Sequence, residues 1–175
     1  LALGDPRDPA THVGPVIDRE SKDRLDTWIV KHAKLLRYRW DQDHALPRGL
    51  FVPPTIIELN SAADLKEEVF GPVLSVIPFE DEDDAVHLAN DVHFGLAAGV
   101  WTRDIRRAFL MSERLQAGTV WVNTYRAVSY MSPFGGYKRS GIGRENGQEA
   151  IREYLQTKSV WMNLAEGMPN PFVLR

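Results

Sequence analysis

The sequence predicts an α/β fold in which helices cover a parallel β-sheet. Between residues 73 and 123, short apolar, β-branched runs alternate with segments of helical periodicity, and turn residues separate them. The composition, with 43% hydrophobic and 26% charged residues, is typical of a globular protein. With 175 residues, the chain is long enough for one domain with a single core.

The first third of the chain predicts one helix and one extended segment. A turn-rich opening runs to Asp18, which is expected to cap the helix. Four apolar residues recur at near-helical spacing: Leu25, Trp28, Ile29 and Leu36. Charged residues and the turn at residues 47–49 interrupt that pattern. Residues 51–57 are expected to be extended, and their two prolines predict that this segment is not a central strand.

Strands and helices alternate in the second half. We expect strands at residues 73–79, 96–101, 118–123 and 158–163, and helices at residues 85–90, 104–116 and 145–155. The acidic residues 80–84 lie at the start of the first of these helices, where carboxylates complement the helix dipole, and we prefer this explanation to a metal site. A glycine-rich loop spans residues 124–144, and the tail around residues 169–171 is expected to be irregular.

Charge and cysteine content exclude several classes of function. The chain has 21 Lys and Arg against 24 Asp and Glu, and its net charge of −3 gives no general attraction to nucleic acid or a membrane surface. No apolar run approaches the roughly 20 residues of a membrane helix. We therefore expect a soluble, cytoplasmic protein without nucleic-acid or membrane partners. The absence of cysteine excludes disulfides, thiolate zinc sites and a cysteine nucleophile supplied by this chain.

Two glycine-rich segments approach nucleotide-binding motifs without matching them. Residues 135–140 place a lysine near glycines but lack the spacing of a P-loop. Residues 141–147 come close to the dinucleotide fingerprint, but Asn146 stands where the third glycine belongs and no strand leads directly into them. The alternative is that these glycines supply left-handed backbone for a tight crossing at the surface.

Other reactive side chains form no motif on their own. The histidines show no metal-ligand spacing with one another: His12, His32, His44, His87 and His93. The adjacent Glu67 and Glu68 are suited to acid–base chemistry, but at most one of two neighbouring side chains is expected to point inward.

Five motifs follow one another in a fixed order along the chain. They are KEEVFGPV at residues 66–73, FGLAA at 94–98, GTVWVN at 118–123, SPFGGYK at 132–138 and SGIGRE at 140–145. In this order they resemble the C-terminal portion of the NAD(P)-dependent aldehyde dehydrogenases, and the resemblance extends from Gly4 to Asn163. It implies a Rossmann-like α/β fold. Residues 1–156 would form the C-terminal part of the catalytic domain, and residues 157–175 an oligomerisation strand and tail.

The resemblance also implies a reaction. In this family a cysteine thiolate attacks the aldehyde, hydride passes to the nicotinamide of NAD or NADP, and a glutamate-activated water releases the acid. The family's nucleophile, its oxyanion asparagine and its general base lie upstream of the segment that resembles this chain. Residues 1–9 are turn-rich and lack Met, which we interpret as the interior of a longer protein. We expect this chain alone to be inactive.

Five residues match positions that face cofactor or substrate in the family. Glu68 would accept hydrogen bonds from the nicotinamide ribose, and Phe70 would lie beside the nicotinamide. Phe134 would line the substrate tunnel, and Val128 the aldehyde pocket. Glu145 matches a buried carboxylate behind the catalytic centre that relays protons. The alternative is that Glu68 is a solvated loop carboxylate and Phe70 a core anchor.

Other residues in the matched motifs are expected to have supporting roles. Asn123 and Lys138 would organise the loop, and Arg144 would be a structural ion-pair partner. Arg126, if it points inward, would favour an anionic aldehyde. Arg24 is a weak candidate for contacting the cofactor, and a solvated position on its helix is preferred.

The last predicted strand resembles the element through which these enzymes pair subunits. We therefore expect a homo-oligomer formed through residues 157–163, whose apolar edge would otherwise be exposed. Two alternatives remain for the whole chain. One is a non-catalytic oligomerisation module, and the other is a related reaction on the same fold, such as acyl-phosphate reduction or thioester formation from a semialdehyde.

Overall fold

The computed structural model describes residues 1–40 and 49–167. The α-helices in this part of the chain are α1 (Arg19–Lys31), α2 (Glu82–Asn90) and α3 (Ile105–Arg114). The strands are β1 (Leu36–Arg39), β2 (Thr55–Glu58), β3 (Val73–Val76), β4 (Phe94–Gly95), β5 (Ala97–Val100), β6 (Thr119–Val122) and β7 (Tyr137–Lys138). Short 3₁₀ helices occupy Ala33–Leu35, Ala62–Leu65 and Gln148–Tyr154.

The predicted α/β class with parallel strands is confirmed. Strand β2 runs parallel to β3, and β5 runs parallel to β6. Among the described residues the two parallel pairs lie in different sheets. Strand β2 also pairs antiparallel with β1, which gives a three-stranded sheet, and β4 pairs antiparallel with β7 in a sheet of its own. Helix α2 leads from β3 towards β5, and α3 connects β5 to its parallel partner β6, as expected of a helical crossover.

Helix α1 begins where the sequence predicts and ends earlier. The Asp18 carboxylate accepts a hydrogen bond from the Ser21 amide at 2.7 Å, which confirms it as the N-cap. The helix ends at Lys31, so the extension of its pattern to Leu36 was wrong. Leu36 instead starts β1 and pairs with Ile57 across the sheet. The pairing of Leu36 with β2 therefore decides its conformation, although its position in the sequence continues the helical spacing.

The expectation that residues 51–57 avoid a central position was also wrong. Strand β2 is the middle strand of its three-stranded sheet. Both prolines precede its first residue, Thr55, whose amide donates to the Pro72 carbonyl at 3.0 Å. Because proline removes a donor only at its own position, both prolines leave the amides of β2 free to pair with β1 and β3.

The main hydrophobic core forms where α1 meets the segment before β2. Leu25, Ile29 and Val52 are buried there. Partly buried apolar side chains pack around them: Val16, Trp28, Val69 and Val73. The core thus anchors residues 66–70 through Val69, shortly before the chain enters β3.

The acidic run before α2 has the structural role that the sequence predicts. Asp81 is the N-cap and accepts from the Asp84 amide at 2.9 Å, and three acidic residues occupy the first turn. Glu82 pairs with Arg107, and Asp83 pairs with Arg114 at 2.6 Å, so the run also ties α2 to α3. Among the described residues no group of His, Cys, Asp and Glu is arranged to hold a metal ion. His44 lies outside them.

The C-terminal elements differ from prediction. The expected helix over residues 145–155 is instead a 3₁₀ helix, Gln148–Tyr154, and it starts later because Asn146 and Gly147 have positive φ. Residues 157–163 form no strand within the described chain, so the strand expected at 158–163 was wrong here. They are exposed, and Trp161 is 95% exposed. A segment becomes a strand only beside a hydrogen-bonded partner, and no described residue pairs with this one.

No helix within residues 1–40 and 49–167 is long and apolar enough to cross a bilayer. The turn residues Pro47 and Arg48 and the tail at 169–171 lie outside the described residues.

Candidate functional site

A glycine-rich hairpin brings two of the predicted site residues together. Phe134 and Glu145 form an antiparallel bridge, in which each amide donates to the other residue's carbonyl at 2.7 Å. Both residues line an open cleft of about 420 Å³, together with Leu96 and Tyr154. The structure therefore unites the predicted tunnel residue and the predicted proton-relay residue.

Glu145 does not have the burial that was expected of it. Its side chain is exposed, whereas the resemblance implied a buried carboxylate. The reason is that the cleft opens to solvent on the side that no described residue of this chain covers. Phe134 is half-buried in the same cleft.

Left-handed backbone shapes the hairpin, as the alternative interpretation of residues 141–147 predicts. Gly143 has φ +82° and Asn146 has φ +63°. Close approach is the second constraint, since a Cβ atom at Gly118 would lie 1.7 Å from the Gly135 carbonyl oxygen. Position 118, directly before β6, therefore requires glycine, because the hairpin backbone packs against it.

Arg144 fixes the hairpin through backbone contacts. Its Nη1 donates to the Gly136 carbonyl at 3.1 Å and to the Gly143 carbonyl at 2.6 Å. Its guanidinium carbon lies 5.6 Å from the centre of the Tyr137 ring, within cation–π range. Among the described residues Arg144 forms no ion pair, so the expected role differs from the one found, in which the cation binds carbonyl oxygens.

The predicted cofactor-side residues lie on the segment before β3. Glu67 and Glu68 are both exposed, and Phe70 is 76% exposed, so the interpretation of Phe70 as a core anchor was wrong. Glu68 lines a cleft of about 260 Å³ together with Asn90 and Phe94. Arg24 donates to the Glu68 main-chain carbonyl at 3.3 Å, so it contacts this segment directly.

Among the described residues, Glu68 and Phe134 line two different clefts. Their clefts are adjacent and have Leu96 and Ser140 in common. The Ser140 hydroxyl accepts a hydrogen bond from the Gly95 amide at 2.9 Å, which holds the wall between the clefts. Cofactor-side and substrate-side candidates therefore lie on neighbouring surfaces.

The loop after β6 is held at its base and exposed at its tip. Asn123, at φ +53°, exchanges two hydrogen bonds with the Thr102 backbone at 2.8 and 2.9 Å, which confirms its organising role. Trp121 donates to the Ala127 carbonyl at 2.8 Å. Val128 is 65% exposed and does not line the cleft of Phe134 and Glu145. Arg126 lies in the same loop at φ +56°.

Contacts at the end of α2 were only partly foreseen. Lys138 donates to the Asn90 carbonyl at 2.7 Å and to the Val92 carbonyl at 3.1 Å, which confirms its organising role. Lys66 donates to the Asp91 carbonyl at 2.8 Å and to its carboxylate at 2.5 Å. The hydrogen bond and charge of Lys66 lower the pKa of the Asp91 carboxyl. Sequence reasoning missed Lys66 and Asn90, because only the fold brings them near a helix end.

An apolar groove separates the two parallel strand pairs. It has a volume of about 750 Å³ and runs between β3 and β5. Apolar side chains from both sides and from the two helices line it: Ile77, Phe79, Leu88, Val100, Trp101 and Met111. We call it the interstrand groove.

Comparison with known proteins covers nearly the whole chain. The model of the aldehyde dehydrogenase family matches residues 1–160. A betaine aldehyde dehydrogenase from Brucella anthropi is 40% identical over 174 residues, which is 95% of this chain and 36% of that protein. A betaine aldehyde dehydrogenase 2 from Rhizobium meliloti is 41% identical over 167 residues, 94% of this chain and 35% of that protein.

Solved structures give the same relationship. An aldehyde dehydrogenase from Mycobacterium tuberculosis, complexed with NAD⁺, is similar with a TM-score of 0.84 and 38% identity over 96% of this chain and 36% of its own. A betaine aldehyde dehydrogenase from Staphylococcus aureus, in complex with NAD⁺, has a TM-score of 0.86 and 37% identity over 98% of this chain and 36% of its own. The chain thus spans about a third of the length of these proteins.

Proposed function

This chain belongs to the aldehyde dehydrogenase family, and we propose that it forms one wall of the catalytic site of an enzyme that oxidises an aldehyde to a carboxylic acid with NAD or NADP. The observation that carries this proposal is the open cleft in which the hairpin joins Phe134 to Glu145, next to the cleft of Glu68. The similar structures from Mycobacterium tuberculosis and Staphylococcus aureus contain NAD⁺, which supports the cofactor class.

The cofactor side consists of Glu68 and Phe70. An exposed carboxylate offers two acceptor oxygens, which suits a pair of ribose hydroxyls. The exposed Phe70 ring offers an apolar face that would limit the positions of a nicotinamide ring. When bound, the nicotinamide cofactor accepts the hydride. These residues would hold and orient it.

The substrate side consists of Phe134, Val128 and Glu145. Phe134 would give the cleft that it shares with Glu145 an apolar wall. Val128 lies on the exposed loop outside that cleft and would extend this wall once the aldehyde pocket is complete. Glu145 faces the cleft of Phe134 and would take or return a proton there.

The nucleophile of this mechanism would come from outside the chain. Thiolate attack on an aldehyde requires a cysteine, and the chain contains none. The interstrand groove and the solvent-open cleft offer apolar and polar surfaces against which the rest of a longer polypeptide would pack. We therefore propose that the chain alone is inactive.

Turnover measurements test both parts of the proposal. Aldehyde-dependent formation of NADH or NADPH is measured for this chain and for the full-length protein that contains it. The aldehydes include betaine aldehyde, because several relatives carry that name. We expect turnover by the full-length protein and none by the chain. Turnover by the chain would overturn the requirement for an external cysteine, and an inactive full-length protein would overturn the enzymatic proposal.

We also propose that residues 157–163 pair two copies of the protein and that residues 1–156 form the catalytic portion. The segment is exposed in this chain and contains the apolar residues Val160, Trp161 and Met162. The same feature favours a second candidate function, a non-catalytic oligomerisation module. Assembly of a full-length protein that lacks dehydrogenase activity would favour that second function.

A further inference from the structure

The C-terminal turn of α2 receives two ammonium groups from distant parts of the chain. We call residues 90–92 the α2 turn. Lys66 binds the Asp91 carbonyl at 2.8 Å, and Lys138 binds the Asn90 and Val92 carbonyls at 2.7 and 3.1 Å. Carbonyls at a helix C-terminus lack helical partners and carry partial negative charge, so cations are favourable ligands for them.

The two lysines belong to the two sides of the candidate site. Lys66 lies on the KEEVFGPV segment, two residues before Glu68. Lys138 lies on the SPFGGYK segment, four residues after Phe134, and has φ +53°. That φ is uncommon for a side-chain-bearing residue, and the contacts of Lys138 hold it there.

The α2 turn is itself fixed to the next helix. The Asn90 side chain donates to the Arg114 carbonyl and accepts from the Gln116 amide, both at 2.9 Å. Asn90 and Val92 also line the cleft of Glu68. The α2 turn therefore adjoins the cofactor-side cleft. Through Lys138 it also holds strand β7 of the substrate-side hairpin.

We propose that the α2 turn sets the distance between the cofactor-side and substrate-side segments, and that Lys66 and Lys138 are positioning residues for each side. This inference rests on the proposed function, because it assigns one segment to the cofactor and the other to the aldehyde. Lys66 holds the backbone that carries Glu68. Lys138 holds the backbone that carries Phe134.

The test uses single variants of the full-length protein. Lys66→Met and Lys138→Met keep the length of the side chain and remove its hydrogen bonds. We expect Lys138→Met to raise the KM for aldehyde about fivefold and to leave the KM for the cofactor unchanged, because misplacing a binding group weakens only its own ligand. We expect Lys66→Met to raise the KM for the cofactor about fivefold and to leave the KM for aldehyde unchanged. Lys66→Arg and Lys138→Arg restore most of the lost affinity, since they keep a cationic donor.

Lys34→Met is the matched control, because Lys34 is exposed and its side chain has no hydrogen-bond partner in either segment. It should change neither KM. A general loss of structure would lower kcat and thermal stability without separating the two KM values. Equal effects of Lys66→Met and Lys138→Met on both KM values would therefore overturn the proposal.

Hydrogen exchange separates this inference from the proposed function. In the same full-length variants, Lys138→Met should speed amide exchange in residues 132–138 and spare residues 66–70, and Lys66→Met should do the opposite. If the full-length protein lacks dehydrogenase activity, the proposed function fails. Amide exchange then still tests whether Lys66 and Lys138 hold their segments on the α2 turn. Exchange that is unchanged, or faster to the same degree in both segments, would overturn it.

Discussion

Arg144 illustrates how a single side chain holds the candidate site. Its guanidinium bridges the Gly136 and Gly143 carbonyls across the hairpin whose ends are joined by Phe134 and Glu145. A planar guanidinium with several donors suits two carbonyls at once. The sequence motif identified the position, but the ligands of the cation come from backbone that only the folded hairpin brings together.

Replacement of Arg144 should therefore destabilise the protein. Arg144→Met removes two hydrogen bonds from a partly buried cation, and we expect a loss of about 1–3 kcal/mol in the free energy of unfolding. Urea denaturation of the full chain measures this value. Arg103→Met serves as the control, because Arg103 is exposed. A loss no larger than that of the control would contradict the assigned role.

Individual residues differ in how well the sequence predicts them. Asn123 and Lys138 were expected to organise the loop and do so, although their hydrogen-bond partners lie at least 21 residues away in the sequence. Glu145 was expected to be buried and is exposed, because its burial depends on surfaces that no described residue supplies. The assigned roles of Glu68, Phe70, Phe134 and Val128 stay predictions.

Element boundaries show which local signals dominate. The predicted cap was correct, since Asp18 accepts the amide hydrogen bond expected of an N-cap. Apolar spacing was less reliable, since Leu36 continues the helical pattern yet starts β1. A cap is decided by atoms within one turn, whereas strand membership is decided by a partner far along the chain.

The Asp18 cap predicts an acid-dependent contribution to stability. The Ser21 amide lowers the pKa of the Asp18 carboxyl below its usual value. A lowered pKa in the folded state adds stability above the unfolded pKa, about 3.9, and this contribution disappears as the pH falls through the folded value. Asp18→Asn keeps a capping oxygen but does not titrate. We expect its thermal stability to differ from the wild type less at low pH than at pH 7.

Thermal melts across this pH range measure the effect. Asp23→Asn, on the exposed side of the same helix, is the control and should leave the pH profile unchanged. A constant difference between Asp18→Asn and the wild type at every pH would contradict the charge contribution of the cap.

At the scale of the whole molecule, this chain has open apolar surfaces. The interstrand groove separates two parallel strand pairs, and the segment 157–163 lacks a strand partner within the described residues. Parallel strands are normally buried on both faces, so such surfaces are expected to be covered by other protein. This agrees with a chain that spans about 36% of its structural relatives.

Assembly through residues 157–163 gives the prediction at this scale. Val160→Asp places a charge in the proposed pairing strand, and we expect the full-length protein to change from an oligomer to a smaller species. Leu164→Asp is the matched control, because Leu164 is 94% exposed and follows the segment. Sedimentation velocity measures the mass of each variant. The same mass for Val160→Asp and the wild type would contradict pairing through this strand.

The sequence by itself determined the α/β class, the N-cap of α1 and the family, because these depend on short motifs and local hydrogen bonds. Tertiary structure decided that β2 is a central strand, that Arg144 binds carbonyls, and that Lys66 and Lys138 meet at one helix end. These outcomes depend on contacts between residues far apart in the chain. Local propensity carries no information about such contacts, so only the folded backbone could decide them.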